Sequence, residues 1–150
     1  MPNRHHHTRS PAAYAGRQTV YAGVTMRSRT EAGFAAYLDA QDLPWQYEPR
    51  AFACASGQYL PDFLVDLGRR RLYVEVKASS WRQCPGEMAD RMAIVWASEP
   101  AASLLLAVHG AAPHLARRSG HLHPATGLPG SDWVPLGLPV WDAPFWTGPT

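Results

Sequence analysis

Residues 72–77 read Leu-Tyr-Val-Glu-Val-Lys, and their alternation sets the frame for the rest of the chain. In an extended backbone Leu72, Val74 and Val76 fall on one face, and Tyr73, Glu75 and Lys77 on the other. The apolar set demands a covering layer, and the opposite set brings a carboxylate and an amine side by side. Lys77 is the only lysine of the chain, against thirteen arginines. Arginine does not replace lysine where a compact point charge or a shiftable pKa is needed, so the retained amine marks a position with its own chemistry. The plain alternative is an Arg-rich codon bias that left one lysine on a solvated strand face.

The neighbouring segments read as alternating helix and strand. Glu31, Phe34, Ala35 and Leu38 recur at helical spacing, which predicts a helix over about 28–41, stopped by Leu43-Pro44. Strands are expected over Trp45 to Phe52, Tyr59 to Val65, Leu72 to Lys77 and Ser103 to Val108, with turns at Gly57 and at Gly68-Arg69-Arg70. A second helix is expected over about 85–97, with Pro85 in its first turn and Glu87 near its positive end. Residues 1–24 read as an irregular arm carrying Arg4, Arg9, Arg17 and His5-His6-His7. From 113 onward the pattern is lost. Pro124, Pro129, Pro135, Pro139, Pro144 and Pro149 leave no period of 2 or 3.6. Residues 113–150 are therefore read as an extension that lays Trp133, Trp141 and Trp146 on the body or on a second subunit. The division is an arm (1–24), a core (25–112) and a Pro/Trp-rich extension (113–150).

At 150 residues, 46% hydrophobic and 17% charged, the chain has the size and apolar content of one folded domain. A formal charge of +2 excludes a strongly basic nucleic-acid coat, so any such contact must come from local arginine clusters. Cys54 and Cys84 form no CxxC pair and no disulfide framework, which fits a reducing, cytoplasmic compartment. No secretory signal and no apolar run of membrane-spanning length appears, so no membrane partner is expected.

If the second and third strands pair through the turn at 66–71, Asp62 approaches Glu75. Two carboxylates on neighbouring strands repel unless a cation lies between them. Hard oxygen ligands with room for water suit Mg²⁺, and Val76 can lend its backbone carbonyl. Glu31, on the apolar face of the first helix, is a fourth candidate, because an unpaired carboxylate there would be costly. It has an equal structural rival: Ser28-Arg29-Thr30-Glu31 matches the capping box. Arg27 and Arg29, at the start of that helix, are candidate phosphate clamps. Arg69 and Arg70 either tip a solvated hairpin or track a phosphate backbone. Glu48 either joins the acidic cluster or, as the favoured reading, stands at a strand end on the surface. His109, His114, His121 and His123 match no usual zinc spacing.

Four segments in order carry a resemblance: Met26 to Glu31, Leu43 to Glu48, Tyr59 to Leu64, and Tyr73 to Lys77. Together they resemble the PD-(D/E)xK nuclease superfamily, and within it the phage endonuclease I type of Holliday-junction resolvase. The likeness spans about residues 26–80. It implies an α/β, restriction-endonuclease-like αβββαβ core with a mixed central sheet flanked by helices, followed here by the Pro/Trp-rich extension. It implies a Mg²⁺-dependent endonuclease, with Mn²⁺ able to substitute, acting on DNA, including branched or junction DNA. Asp62 and Glu75 would hold the metal with the Val76 carbonyl, Glu31 assisting directly or through a water. Lys77 would orient and activate the attacking water. Such enzymes act in a bacterial cytoplasm, either as host proteins or phage-encoded ones, and those that cut both strands often form homodimers. Fold does not fix function. The alternative reading is a non-catalytic nucleic-acid-binding or assembly module on a nuclease-like fold.

Overall fold

The computed structural model describes residues 17–82, 87–122 and 129–142. The chain opens on a hairpin, β1 (Thr19–Tyr21) and β2 (Val24–Met26). Its turn residues Ala22 and Gly23 have φ of 50° and 78°, the left-handed pair whose twist matches a two-residue hairpin. Then come α1 (Arg29–Ala40), β3 (Trp45–Tyr47), β4 (Phe52–Cys54), β5 (Gly57–Tyr59), β6 (Phe63–Asp66) and β7 (Arg71–Lys77). They are followed by α2 (Glu87–Ser98), β8 (Ser103–Val108), β9 (His114–Leu122) and β10 (Pro129–Pro135).

Six strands form one sheet in the order β10-β9-β8-β7-β6-β3. The β7–β8 pair is parallel and the other pairings are antiparallel, so the sheet is mixed. A parallel pair needs a crossover, and α2 supplies it. Leu72, Val74 and Val76 pack with Phe34, Ala35 and Leu38 of α1. Tyr73 packs with Met88, Met92 and Val95 of α2. The alternation of β7 thus assigns one helix to each sheet face, making an α/β fold with the order αβββαβ through α1, β3, β6, β7, α2 and β8. No helix among the described residues is long and apolar enough to cross a membrane.

The end of α1 follows from local chemistry. Asp42 takes φ 56°, and the Leu43 and Asp42 N–H groups donate to the carbonyls of Leu38 and Asp39 at 3.0 Å each. This is a Schellman stop with aspartate in the left-handed position usually taken by glycine.

Three expectations need correction. The strand expected over 45–52 ends at Tyr47, because Glu48 adopts φ 46° and turns the chain away. Phe52 instead opens the separate β4–β5 hairpin. The strand expected over 59–65 is likewise divided, and Asp62 lies just before β6 rather than inside a longer strand. Pro61, which has no N–H to give a ladder, stands at the division.

The third correction concerns the tail. Residues 113–150 are not wholly irregular, since β9 and β10 extend the sheet. Pro129 and Pro135 are tolerated because they bound an edge strand. The arm expected over 1–24 ends in β1, and its first sixteen residues lie outside the described ones, as do Pro85 and Trp146.

Trp141 does lay an aromatic on the body. It is 1% exposed, with its ring 4.9 Å from Phe34 and 5.1 Å from His109. The Trp141 N–H donates to the Ala111 carbonyl at 3.0 Å, and its own carbonyl accepts from the Gly110 N–H at 2.7 Å. Tyr37 Oη adds a 2.7 Å bond to the Pro139 carbonyl. Trp141→Ala is expected to cost about 3–5 kcal/mol, read by urea denaturation. A loss under about 1 kcal/mol would show that the segment does not anchor the fold.

Candidate active site

The site is assembled where β6 begins, β7 ends and α1 starts. The β6–β7 register pairs Phe63 with Val74, so Asp62 stands opposite Glu75. The Asp62 N–H donates to the Val74 carbonyl at 2.9 Å, and its carbonyl accepts from the Glu48 N–H at 2.8 Å. Its side chain is fully buried. Oδ2 accepts the Val76 N–H at 2.7 Å and Oδ1 accepts Arg27 Nη2 at 3.0 Å. A strand residue directs its N–H and carbonyl to the same edge, and successive residues alternate. The Val76 carbonyl therefore opens on the Asp62 side.

Glu31 serves two ends at once. Ser28 Oγ accepts the Glu31 N–H at 3.1 Å, which caps α1, and donates to Glu31 Oε2 at 2.9 Å. The capping-box reading is thereby modified: the carboxylate meets the Ser28 hydroxyl rather than its backbone N–H. Oε1 remains for Arg27 Nη2 at 3.3 Å. The same guanidinium reaches a third carboxylate, with Nε 2.9 Å from Glu48 Oε1. Tyr47 Oη accepts from the Arg27 backbone N–H at 3.0 Å and fixes the entry to the helix.

Glu75 is also fully buried. Oε1 accepts from Tyr59 Oη at 2.5 Å and Oε2 lies 3.5 Å from Lys77 Nζ. Burial, then the adjacent Glu75 carboxylate, push the Tyr59 hydroxyl well above its usual pKa, so it stays a donor. Lys77 Nζ continues to Glu87 Oε1 at 3.3 Å, and that oxygen also lies 3.3 Å from Arg91 Nη2. Burial raises the Glu87 pKa, but Lys77 and Arg91 outweigh it and hold the carboxyl below its usual range.

Glu31, Glu48, Asp62 and Glu75 expose 3%, 9%, 0% and 0% of their side chains, and among the described residues the cations Arg27 and Lys77 lie against them. Glu87 lies between Lys77 and Arg91. Carboxylate oxygens with a backbone carbonyl beside them are hard donors, which suit a divalent cation such as Mg²⁺. The donors are not gathered around one point: among the described residues no three His, Cys, Asp or Glu side chains form a ready metal group. Arg27 stands between Glu31, Glu48 and Asp62.

The other expected phosphate contacts lie apart. Arg29 is exposed in the first turn of α1. Arg69 and Arg70 are exposed at the tip of the β6–β7 hairpin, roughly 14 Å of strand away from Glu75. Sequence reasoning missed Tyr59, Glu87 and Arg91, which depend on tertiary packing. Of the two readings of Glu48, the favoured surface position is corrected: the side chain is buried beside Arg27 in the acidic cluster.

Removing the Arg27 guanidinium leaves three buried carboxylates without a shared cation. Arg27→Ala is expected to lose about 3–5 kcal/mol in chelator, and Arg27→Lys to recover only part, since a point charge does not span three partners. Denaturation curves in EDTA measure both, and a loss under about 1 kcal/mol for the alanine variant would contradict the geometry.

No protein-family model and no curated protein matches the chain. Among solved structures it is similar to Archaeoglobus fulgidus Hjc, a Holliday junction resolvase from an archaeal hyperthermophile. The two share 16% sequence identity over 73% of this chain and 84% of that one, with a TM-score of 0.40.

Proposed function

We propose that this chain is a metal-dependent endonuclease that hydrolyses DNA phosphodiesters, on a PD-(D/E)xK, restriction-endonuclease-like fold. The observation that carries the reading is the buried gathering of the Glu31, Glu48, Asp62 and Glu75 carboxylates, with Lys77 beside Glu75. Asp62, Glu75 and the Val76 carbonyl would hold Mg²⁺ or Mn²⁺, with Glu31 assisting directly or through a water. When bound, such a dication supplies charge neutralisation at the phosphate and lowers the pKa of a coordinated water.

The chain's own residues do the rest. Tyr59 Oη fixes one Glu75 oxygen, so that the other faces Lys77. The Lys77 ammonium stabilises the negative charge that develops on the phosphoryl oxygens as water adds to phosphorus and the ester oxygen leaves. The carboxylates hold Arg27 beside the site, where its guanidinium can turn to a phosphate once a dication takes its place. Val76 N–H keeps Asp62 oriented throughout. Branched or junction DNA is the proposed substrate class, and a homodimer the proposed form for cutting both strands.

One observation favours a second reading. Arg27 already neutralises part of the acidic cluster, as it would in a non-catalytic DNA-binding or assembly module. Cleavage of plasmid and four-way-junction DNA, in Mg²⁺ and in EDTA, separates the two. The wild type is expected to cut in Mg²⁺ alone, and Asp62→Asn and Lys77→Ala to lose activity. Lys77→Arg is expected to keep fold and metal binding while cleavage falls about 10²–10³-fold. Equal cleavage by wild type and variants would sink the nuclease reading, and no cleavage by any would favour the module.

A further inference from the structure

We propose that Lys77 and Arg91 form a binding pair for a phosphodiester oxygen of DNA, and that Glu87 fills this position when DNA is absent. The proposal deepens the nuclease reading and rests on it. Two cations from different elements, the end of β7 and the first half of α2, converge on one carboxylate oxygen. Lys77 Nζ and Arg91 Nη2 each lie 3.3 Å from Glu87 Oε1. Two positive groups focused on one oxygen make a position for an anion, and a phosphate oxygen has the same charge and hydrogen-bonding character as the carboxylate oxygen there.

The three side chains are not held equally. Lys77 and Arg91 expose 14% and 10%, whereas Glu87 exposes 22%. The cations are also braced from other sides. The Arg91 guanidinium lies 5.0 Å from the centre of the Tyr59 ring, and Lys77 Nζ is 5.7 Å from the Trp81 ring and 3.5 Å from Glu75. The carboxylate of Glu87 bonds to these two cations at the first turn of α2. The cations therefore belong to the body, and the anion is its most readily exchanged member.

Arg91 carries a further sign of an unfinished site. Its Nε is buried and has no hydrogen-bond partner among the described residues. A buried donor without an acceptor is costly, and a guanidinium that spends one nitrogen on Glu87 and leaves Nε unused is poorly explained as a structural strut. A phosphate, with several oxygens, takes both nitrogens of the fork, which a single carboxylate oxygen does not. The pair adjoins Glu75 through Lys77 and through Tyr59, so an oxygen held there places its phosphorus beside the acidic cluster. Glu87 then screens the cations until nucleic acid displaces it.

The test is binding of a labelled four-way junction and a labelled duplex by fluorescence anisotropy, in EDTA to prevent cleavage, across a salt series. Glu87→Gln keeps the shape and removes the competing charge. It is expected to bind DNA several-fold more tightly than wild type, on the order of one ion pair released. Arg91→Met is expected to bind about tenfold more weakly, with the log–log salt slope reduced by about one. Thermal melts run alongside, and if Arg91→Met fails to fold, Glu87→Gln decides. Binding by Glu87→Gln that equals or falls below wild type overturns the phosphate pair while leaving the nuclease reading intact. No DNA binding by the wild type overturns both.

Discussion

Burial of the Asp62 carboxylate is the constraint on which the rest of the site depends. Its backbone continues the β6–β7 ladder through Val74 and fastens the end of β3 through Glu48. Its side chain ties the end of β7 through the Val76 N–H and the entry of α1 through Arg27. Four elements meet at one residue with no exposed side-chain surface. A buried carboxylate is tolerated only when its oxygens are satisfied and its charge is countered. The positions of Arg27 and Val76 are thus conditions of the fold as well as of any chemistry. Replacing Asp62 by an apolar residue would leave the Arg27 guanidinium and the Val76 N–H to find new partners.

The protein meets these charges with its own side chains, and the matching is asymmetric. Arg27 is shared among Glu31, Glu48 and Asp62, and Lys77 is shared between Glu75 and Glu87. A structure built only for stability would gain by replacing such clusters with apolar packing. Glu48, held at φ 46° where a non-glycine residue is strained, adds a local cost at the same place. Backbone strain beside several buried charges is the pattern expected where function outweighs stability.

Much of this was legible in the sequence because it rests on short periods. The alternation of residues 72–77 placed Leu72, Val74 and Val76 in one core and set Lys77 next to Glu75, as found. Ser28 and the spacing of Phe34, Ala35 and Leu38 marked the start and the buried face of α1. What stayed hidden is tertiary. The turn at Glu48 is a left-handed conformation that glutamate seldom takes, so Trp45 to Phe52 read as one strand. The prolines of β10 spoke against a strand because its edge position, which makes them harmless, exists only in the sheet. Glu87 and Arg91 lie in a helix whose packing over β7, rather than its own pattern, delivers them to Lys77. Trp141 is buried at 1% against α1, more than a hundred residues away in sequence from the ring it covers, Phe34.

The central claim is that the acidic cluster of Asp62, Glu75 and Glu31 binds a divalent cation. Its most direct test is calorimetric titration of chelator-stripped protein with Mn²⁺, paired with melts in Mn²⁺ and in EDTA. The account predicts saturable binding at the cluster and a higher melting temperature in Mn²⁺, both lost in Asp62→Asn and Glu75→Gln. A wild-type protein that takes up no Mn²⁺ and melts identically in metal and chelator would contradict it.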